Sequence, residues 1–62
     1  MRKYFKSLTE LEEKGYTVLD EKNISAIEEC LEKEIDVYVT DDLKIESEAG
    51  IYLGEVSYEK PY

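Results

Sequence analysis

Residues 35–56 read IDVYVTDDLKIESEAGIYLGEV. Three runs alternate apolar with polar residues, and two short polar breaks divide them, which is the pattern of two successive β-hairpins. Ile35, Val37 and Val39 alternate with Asp36, Tyr38 and Thr40, so the first strand has one apolar and one mixed face. The second strand sets Leu43, Ile45 and Ser47 against Lys44 and Glu46. Turn length decides whether the apolar sets meet. A two-residue loop at Asp41-Asp42 scatters them over both faces, whereas a three-residue loop, Thr40-Asp41-Asp42, pairs Val39 with Leu43 and Val37 with Ile45. A one-residue slip turns every side chain to the other face, so burial selects the longer loop, with Asp42 in the left-handed position.

The second break, Glu48-Ala49-Gly50, is again three residues long and ends on the glycine that a G1-bulge turn requires. It pairs Ser47 with Ile51 and Ile45 with Leu53. Continuing in step would bury Glu55, so a bulge at Gly54 is expected to shift the phase and let Val56 and Tyr58 follow Leu53 inward. The expected inner face holds Val37, Val39, Leu43, Ile45, Ile51 and Leu53. The outer face shows Asp36, Tyr38, Thr40, Lys44, Glu46 and Tyr52, with Thr17 and Leu19 nearby.

Upstream, Ile24, Ile27, Leu31 and Ile35 recur at spacings of three, four and four, the stripe of an amphipathic helix. Asn23, or a capping box of Ser25 and Glu28, is its expected start. Glu28, Glu29, Glu32, Lys33 and Glu34 fill the solvent side. Residues 16–20, YTVLD, are β-branched and aromatic and too short for anything but a strand. Before them Ser7 and Glu10 form a capping box, Leu8 and Leu11 share a face, and Gly15 follows Lys14, which predicts a helix over residues 8–14. The opening MRKYFK fits either a strand or the first turn of that helix.

The expected fold class is therefore α+β: a small mixed/antiparallel four-stranded sheet in the order α-β-α-β-β-β, with two helices packed on one face. Residues 16–20, the second helix and residues 35–40 are expected to form a right-handed crossover unit, or else residues 16–20 extend along an edge. Residues 1–62 read as a single small acidic domain, with 59–62 a frayed tail interrupted by Pro61.

A 62-residue chain is one domain, and domains of this size bury only about 60% of the surface their unfolded chains expose. Cys30 is the only cysteine and histidine is absent, so neither an intrachain disulfide nor a structural zinc site can reinforce the core. Packing must suffice, or a homodimer must help. A lone cysteine in an apolar helical position suits a reducing compartment, and no stretch has the length of a secretory h-region or a membrane span. A cytoplasmic location is expected.

The charge is lopsided. Eight Lys and Arg face 16 Asp and Glu, a net of −8. Arg2, Lys3 and Lys6 stand in the first six residues, so residues 7–62 hold five basic and 16 acidic groups, a net of −11. Such a chain is repelled by nucleic acid and anionic membrane, whose binding rests on neutralising phosphate, and it is attracted to basic surfaces.

Chemistry finds little footing. Without histidine there is no Ser–His, Cys–His or His-ligand arrangement. Asp41 and Asp42 lack the glycine and terminal glutamate of an EF-hand loop, and the isolated glycines form no phosphate cradle. Cys30, on a glutamate-rich helix, reads as a small core residue rather than a nucleophile. No enzyme activity, cofactor or metal is expected.

What remains is a protein-interaction module that docks on a basic surface of a partner protein. Its expected contact residues are Asp36, Tyr38, Asp41, Asp42, Glu46, Glu48 and Tyr52, because tyrosine combines rigid apolar area with a hydrogen-bonding tip. In a sharper form, the carboxylates imitate a phosphate backbone and inhibit a nucleic-acid-binding protein, in the manner of small acidic proteins of phages and mobile elements. That analogy is one of size and charge alone. The alternative is an oligomerising structural or scaffold protein that uses the outer face or an edge strand.

Overall fold

A computed structural model describes residues 2–60. The element order is β1 (Lys3–Phe5), α1 (Leu8–Glu13), β2 (Tyr16–Val18), α2 (Lys22–Glu32), β3 (Val37–Val39), β4 (Lys44–Ser47) and β5 (Tyr52–Tyr58). The strands form one curled, five-stranded sheet in the order β1-β3-β4-β5-β2, with every neighbouring pair antiparallel. The α+β class with two helices stands. The strand count and the mixed pairing are corrected: residues 3–5 form a fifth strand, and β2 pairs with β5, so no crossover unit links it to β3. The edge position for residues 16–18 is the one adopted.

Local chemistry explains α1. Ser7 is its N-cap, extended at φ −154°, and its Oγ accepts from the Glu10 amide at 3.1 Å. Glu10 Oε1 reaches back to the Lys6 amide at 3.2 Å, one residue beyond the partner a capping box ordinarily uses. Gly15, at φ 96°, closes the helix by donating to the Glu12 carbonyl at 2.9 Å. Six residues would not hold a helix alone; Leu11, 1% exposed, fixes it in the core.

This short helix joins the two edge strands. Lys14 Nζ donates to the Tyr4 carbonyl of β1 at 2.9 Å, and Lys3 Nζ lies 5.8 Å from the ring centroid of Tyr16 in β2. The sheet therefore curls toward closure, with α1 across the gap.

The start of α2 departs from expectation. Asp20 Oδ1 accepts from the Lys22 amide at 2.9 Å, and the helix begins at Lys22, so Asn23 and Ser25 lie inside it rather than capping it. At the other end Glu34 takes φ 61°, the Ile35 amide donates to Cys30 at 2.9 Å and the Glu34 amide to Leu31 at 3.1 Å. This is a Schellman cap with glutamate in the left-handed place usually held by glycine. Ile35 is thus the apolar cap residue and not a further member of the helical stripe.

The first hairpin keeps its three-residue loop but moves it by one position. Val39 pairs with Ile45, Tyr38 with Glu46 and Val37 with Ser47. The loop is Asp41-Asp42-Leu43, and Leu43, not Asp42, is left-handed at φ 62°. Thr40 explains the choice. Its amide donates to the Lys44 carbonyl at 2.8 Å, its carbonyl accepts from Leu43 at 3.1 Å, and its hydroxyl accepts from the Lys44 amide at 3.2 Å while donating to the Asp42 carboxylate. The shifted register also brings Ser47 opposite Val37, buried at 1% exposure, where its Oγ accepts from the Ala49 and Ile51 amides. A left-handed leucine costs roughly 1–2 kcal/mol, which these bonds offset.

The second hairpin is as the sequence predicts. The Gly50 amide donates to Ser47, the Ser47 amide donates to Ile51, and Gly50 sits at φ 83°. Glu46 pairs with Tyr52 but Lys44 with Glu55, so β5 carries one extra residue in the bulge at Gly54, itself at φ 100°. Glu55 is turned out and Val56 inward, 3% exposed. Beyond β4, β5 pairs with β2, Val18 with Val56 and Tyr16 with Tyr58. Val56 is buried, but Tyr58, expected to follow it inward, is 47% exposed and lies against the Tyr16 ring at the sheet edge.

One core results. Phe5, Leu11, Tyr16, Ile27 and Cys30 meet Val37, Val39, Ile45, Leu53 and Val56, so both helices contribute to the cluster. Leu43 and Ile51, expected inside, are exposed by 37% and 47% because each ends up at a hairpin end. In the expected tail, the Glu59 amide is tied to the Gly15 carbonyl at 2.8 Å; Pro61 and Tyr62 lie outside the described residues.

Two substitutions test this architecture by urea denaturation. Glu34→Gly should raise stability by about 1 kcal/mol, because glycine adopts the left-handed cap without strain. Gly54→Ala should lower it by about 2 kcal/mol or more: the new Cβ would stand 2.2 Å from Asn23 Nδ2 on a backbone at φ 100°.

Candidate functional site

The pairings align one residue from each of four strands into a single row across the outer face: Tyr4 opposite Tyr38, Tyr38 opposite Glu46, Glu46 opposite Tyr52. Tyr38 is not an exposed patch residue. It is 4% exposed, lying beneath the Arg2 guanidinium, 4.4 Å from the ring centroid, and beside the tilted Tyr4 ring at 5.4 Å. Its hydroxyl donates to Glu46 Oε1 at 3.1 Å. Burial, with help from the Glu46 hydrogen bond, holds the Tyr38 phenol above its ordinary pKa, and Arg2 opposes that shift.

The acidic members of the expected contact set are largely answered from within the chain. Glu48 Oε1 accepts from Arg2 at 3.0 Å and from the Tyr4 hydroxyl. Asp36 lies 3.4 Å from Lys6 Nζ. Asp42 accepts from the Thr40 hydroxyl, the main cause of its lowered pKa, and stands 3.5 Å from Lys44 Nζ. Asp41 and Tyr52 are exposed, Tyr52 by 56%. The structure thus gathers Tyr38, Glu46 and Tyr52 along one row. It sets Glu48 just past the end of β4 beside Asp36, through the 2.8 Å bond from the Glu48 amide to the Asp36 carbonyl, and leaves Asp41 and Asp42 at the hairpin tip.

The neutralising residues were hidden in the ambiguous opening stretch. Arg2, Tyr4 and Lys6 alternate with Phe5, and that period of two is the signal for a strand with a cationic outer face.

The opposite side of the molecule carries a different charge pattern. On the helical layer, Glu10 pairs with Lys14 at 3.0 Å and Glu29 with Lys33 at 2.9 Å, and each lysine lowers its partner's carboxyl pKa. Glu12, Glu13, Glu21, Glu28, Glu32 and Glu34 are exposed, and no counter-ion reaches them among the described residues. On α2 the residue spacing already reads as a solvent face; its lack of counter-charge emerges only once Arg2 and Lys6 are placed on the sheet.

Among the described residues, no three His, Cys, Asp or Glu side chains converge as a metal-binding set, and no helix is long and apolar enough to cross a membrane. No family model matches the chain, and neither a curated protein nor a solved structure matches it.

The covered phenol gives a pH dependence with a definite sign. The folded state holds the Tyr38 proton to higher pH than the unfolded chain, so this stabilisation is complete below about pH 10 and is lost as pH rises through the folded value. The urea midpoint of the natural chain should therefore fall above about pH 10, and Tyr38→Phe should flatten that fall. An unchanged alkaline limb would contradict the covered geometry.

Proposed function

We propose that the chain is a small acidic protein-interaction module that docks on a basic surface of a partner protein, chiefly through its helical layer. The observation that carries this reading is the charge order of α2. Lys22 opens the helix and Glu28, Glu29 and Glu32 end it, with Glu34 just beyond; no acid stands in the first turn and no base in the last. Helix macrodipoles favour the reverse, typically by 0.3–1 kcal/mol per group. Asp20 and Glu21 just before the helix and Lys33 at its C-cap follow that preference, and the C-terminal glutamates outnumber Lys33. Glu28 and Glu32 also repel as a like-charged i,i+4 pair, a further few tenths of a kcal/mol. An excess of carboxylate at the C-terminal end of a helix is what a surface shaped for an external cation would show, because a basic partner supplies the attraction that offsets these costs.

On the sheet side Asp36, Asp42 and Glu48 are already screened by Lys6, Lys44 and Arg2, so they attract a partner less. Asp41, Glu46 and Tyr52 extend the contact surface at its margin. In the narrower form of the proposal the partner is a nucleic-acid-binding protein, and the carboxylates engage the cations that otherwise hold phosphate. Self-association as a scaffold is the second reading, favoured by exposed Ile51 and Tyr52 on adjacent positions of β5's entry; a dimer mass in sedimentation at micromolar concentration, lost in Ile51→Asp, would support it instead.

The test couples stability to binding. The double reversal Glu28→Lys/Glu32→Lys keeps a like-charged i,i+4 pair but places cations near the C-terminal end of α2. It should therefore stabilise the fold by about 0.5 kcal/mol while weakening binding of a lysine decamer at low salt by about tenfold. The equally charged Asp36→Lys/Glu48→Lys should weaken it less. Equal losses would mean that only net charge matters and would overturn the assignment to the helical layer.

A further inference from the structure

A groove of about 160 Å³ runs between α1, β2 and the start of α2. Leu11, Tyr16, Val18 and Ile24 contribute to its apolar lining, and Glu12 and Glu21 stand in its wall. No lysine or arginine lines it, and neither carboxylate has a counter-ion among the described residues. Two neighbouring clefts differ on this point. The one between the start of α1 and α2 contains Lys6, and the one between α2 and the second hairpin contains the Glu29–Lys33 pair.

Glu21 is not occupied by the helix it precedes. It holds the N-cap position in helical conformation without a side-chain capping bond, and Asp20 accepts from the Lys22 amide in its place. Glu12 faces the same groove from α1, whose single ion pair uses Glu10. Two separate elements thus set a carboxylate each over one apolar floor.

We infer that this groove is the anchor pocket for one arginine side chain of the basic partner, an inference that rests on the docking function proposed above. Arginine meets both halves of the site. Its methylene stem covers apolar surface while its charged head stays at the rim, where Glu12 and Glu21 supply the opposite charge. Its guanidinium is also more weakly hydrated than an ammonium, so less is lost when it leaves water. A purely apolar side chain would leave the two carboxylates repelling one another, and a bare cation would leave the floor wet.

Methyl-detected NMR on the full chain at fixed ionic strength tests this with N-acetyl-arginine amide as the probe. The expected result is saturable shifts confined to the methyls that line the groove, those of Leu8, Leu11, Thr17, Val18 and Ile24, with affinity about five-fold above that of guanidinium chloride. Glu12→Gln/Glu21→Gln, at exposed positions, should keep the folded spectrum and weaken the probe about five-fold. The pocket assignment is overturned if N-acetyl-norleucine amide shifts the same methyls as strongly, if guanidinium binds as well as the arginine derivative, or if the shifts scatter over all acidic residues. The parent reading is separable. Silent groove methyls with salt-sensitive binding of the lysine decamer would sink the pocket alone, whereas a decamer that fails to bind at low salt would sink the docking function itself.

Discussion

At Gly54 the Asn23 side chain occupies the volume in which any other residue would carry its Cβ; an added Cβ would lie 2.2 Å from Nδ2 and 2.8 Å from Cγ. The contact does two jobs. It lets α2 approach β5 closely, and it coincides with the extra residue that reverses the phase of that strand. Without the reversal Glu55 would point into the core and Val56 out of it. With it, Val56 is buried and pairs with Val18 of β2, while Tyr58 packs its ring on Tyr16. Strand β2 is tied through α1 to β1 at the other edge, so the curl of the sheet and the placement of the N-terminal segment both follow from one bulge.

The charge distribution follows in turn. Because β1 lies beside β3, Arg2 and Lys6 are delivered to Glu48 and Asp36, and the sheet face becomes a mixed, internally answered surface. The net charge of −8 is therefore unevenly spread: among the described residues most carboxylates without an ion pair lie on the helical layer, with Glu46 and Glu55 on the sheet and Glu59 just beyond β5. Exposed ion pairs contribute at most about 1 kcal/mol each to stability, so the consequence of this partition lies less in holding the fold than in deciding which side draws a cationic partner.

Much of the structure is legible in residue patterns. The Ser7–Glu10 signature, the Gly15 and Gly50 positions and the need for a bulge at Gly54 are all readable, because each rests on local geometry or on keeping a charge out of the core. Other features depend on contacts that local pattern does not encode. The first hairpin could place its loop at Thr40–Asp42 or one residue later with the same face buried. The choice fell to the hydrogen bonds of Thr40 and Ser47. Asn23 looks like a helix cap, but its role is packing on Gly54, distant in sequence. Glu34 and Leu43 occupy left-handed positions that composition would assign to glycine or asparagine. The outer face was legible as a set of positions but not as a surface. Tyr38 alternates outward as expected, yet the N-terminal strand, distant in sequence, covers it with Arg2 and Tyr4.

The most direct test of the phase reversal is the register of β2 on β5. The amide of Leu19 donates to Glu55 and that of Glu59 to Gly15, which makes Val18 and Val56 a non-hydrogen-bonded pair, with Cα atoms about 4.5 Å apart. A bulge at Gly54 therefore predicts a strong Hα–Hα nuclear Overhauser effect between Val18 and Val56 and a matching one between Tyr16 and Tyr58. Effects that instead connect Val18 to Glu55 or Ser57 would contradict it, and with it the placement of α1, β1 and the charges they carry.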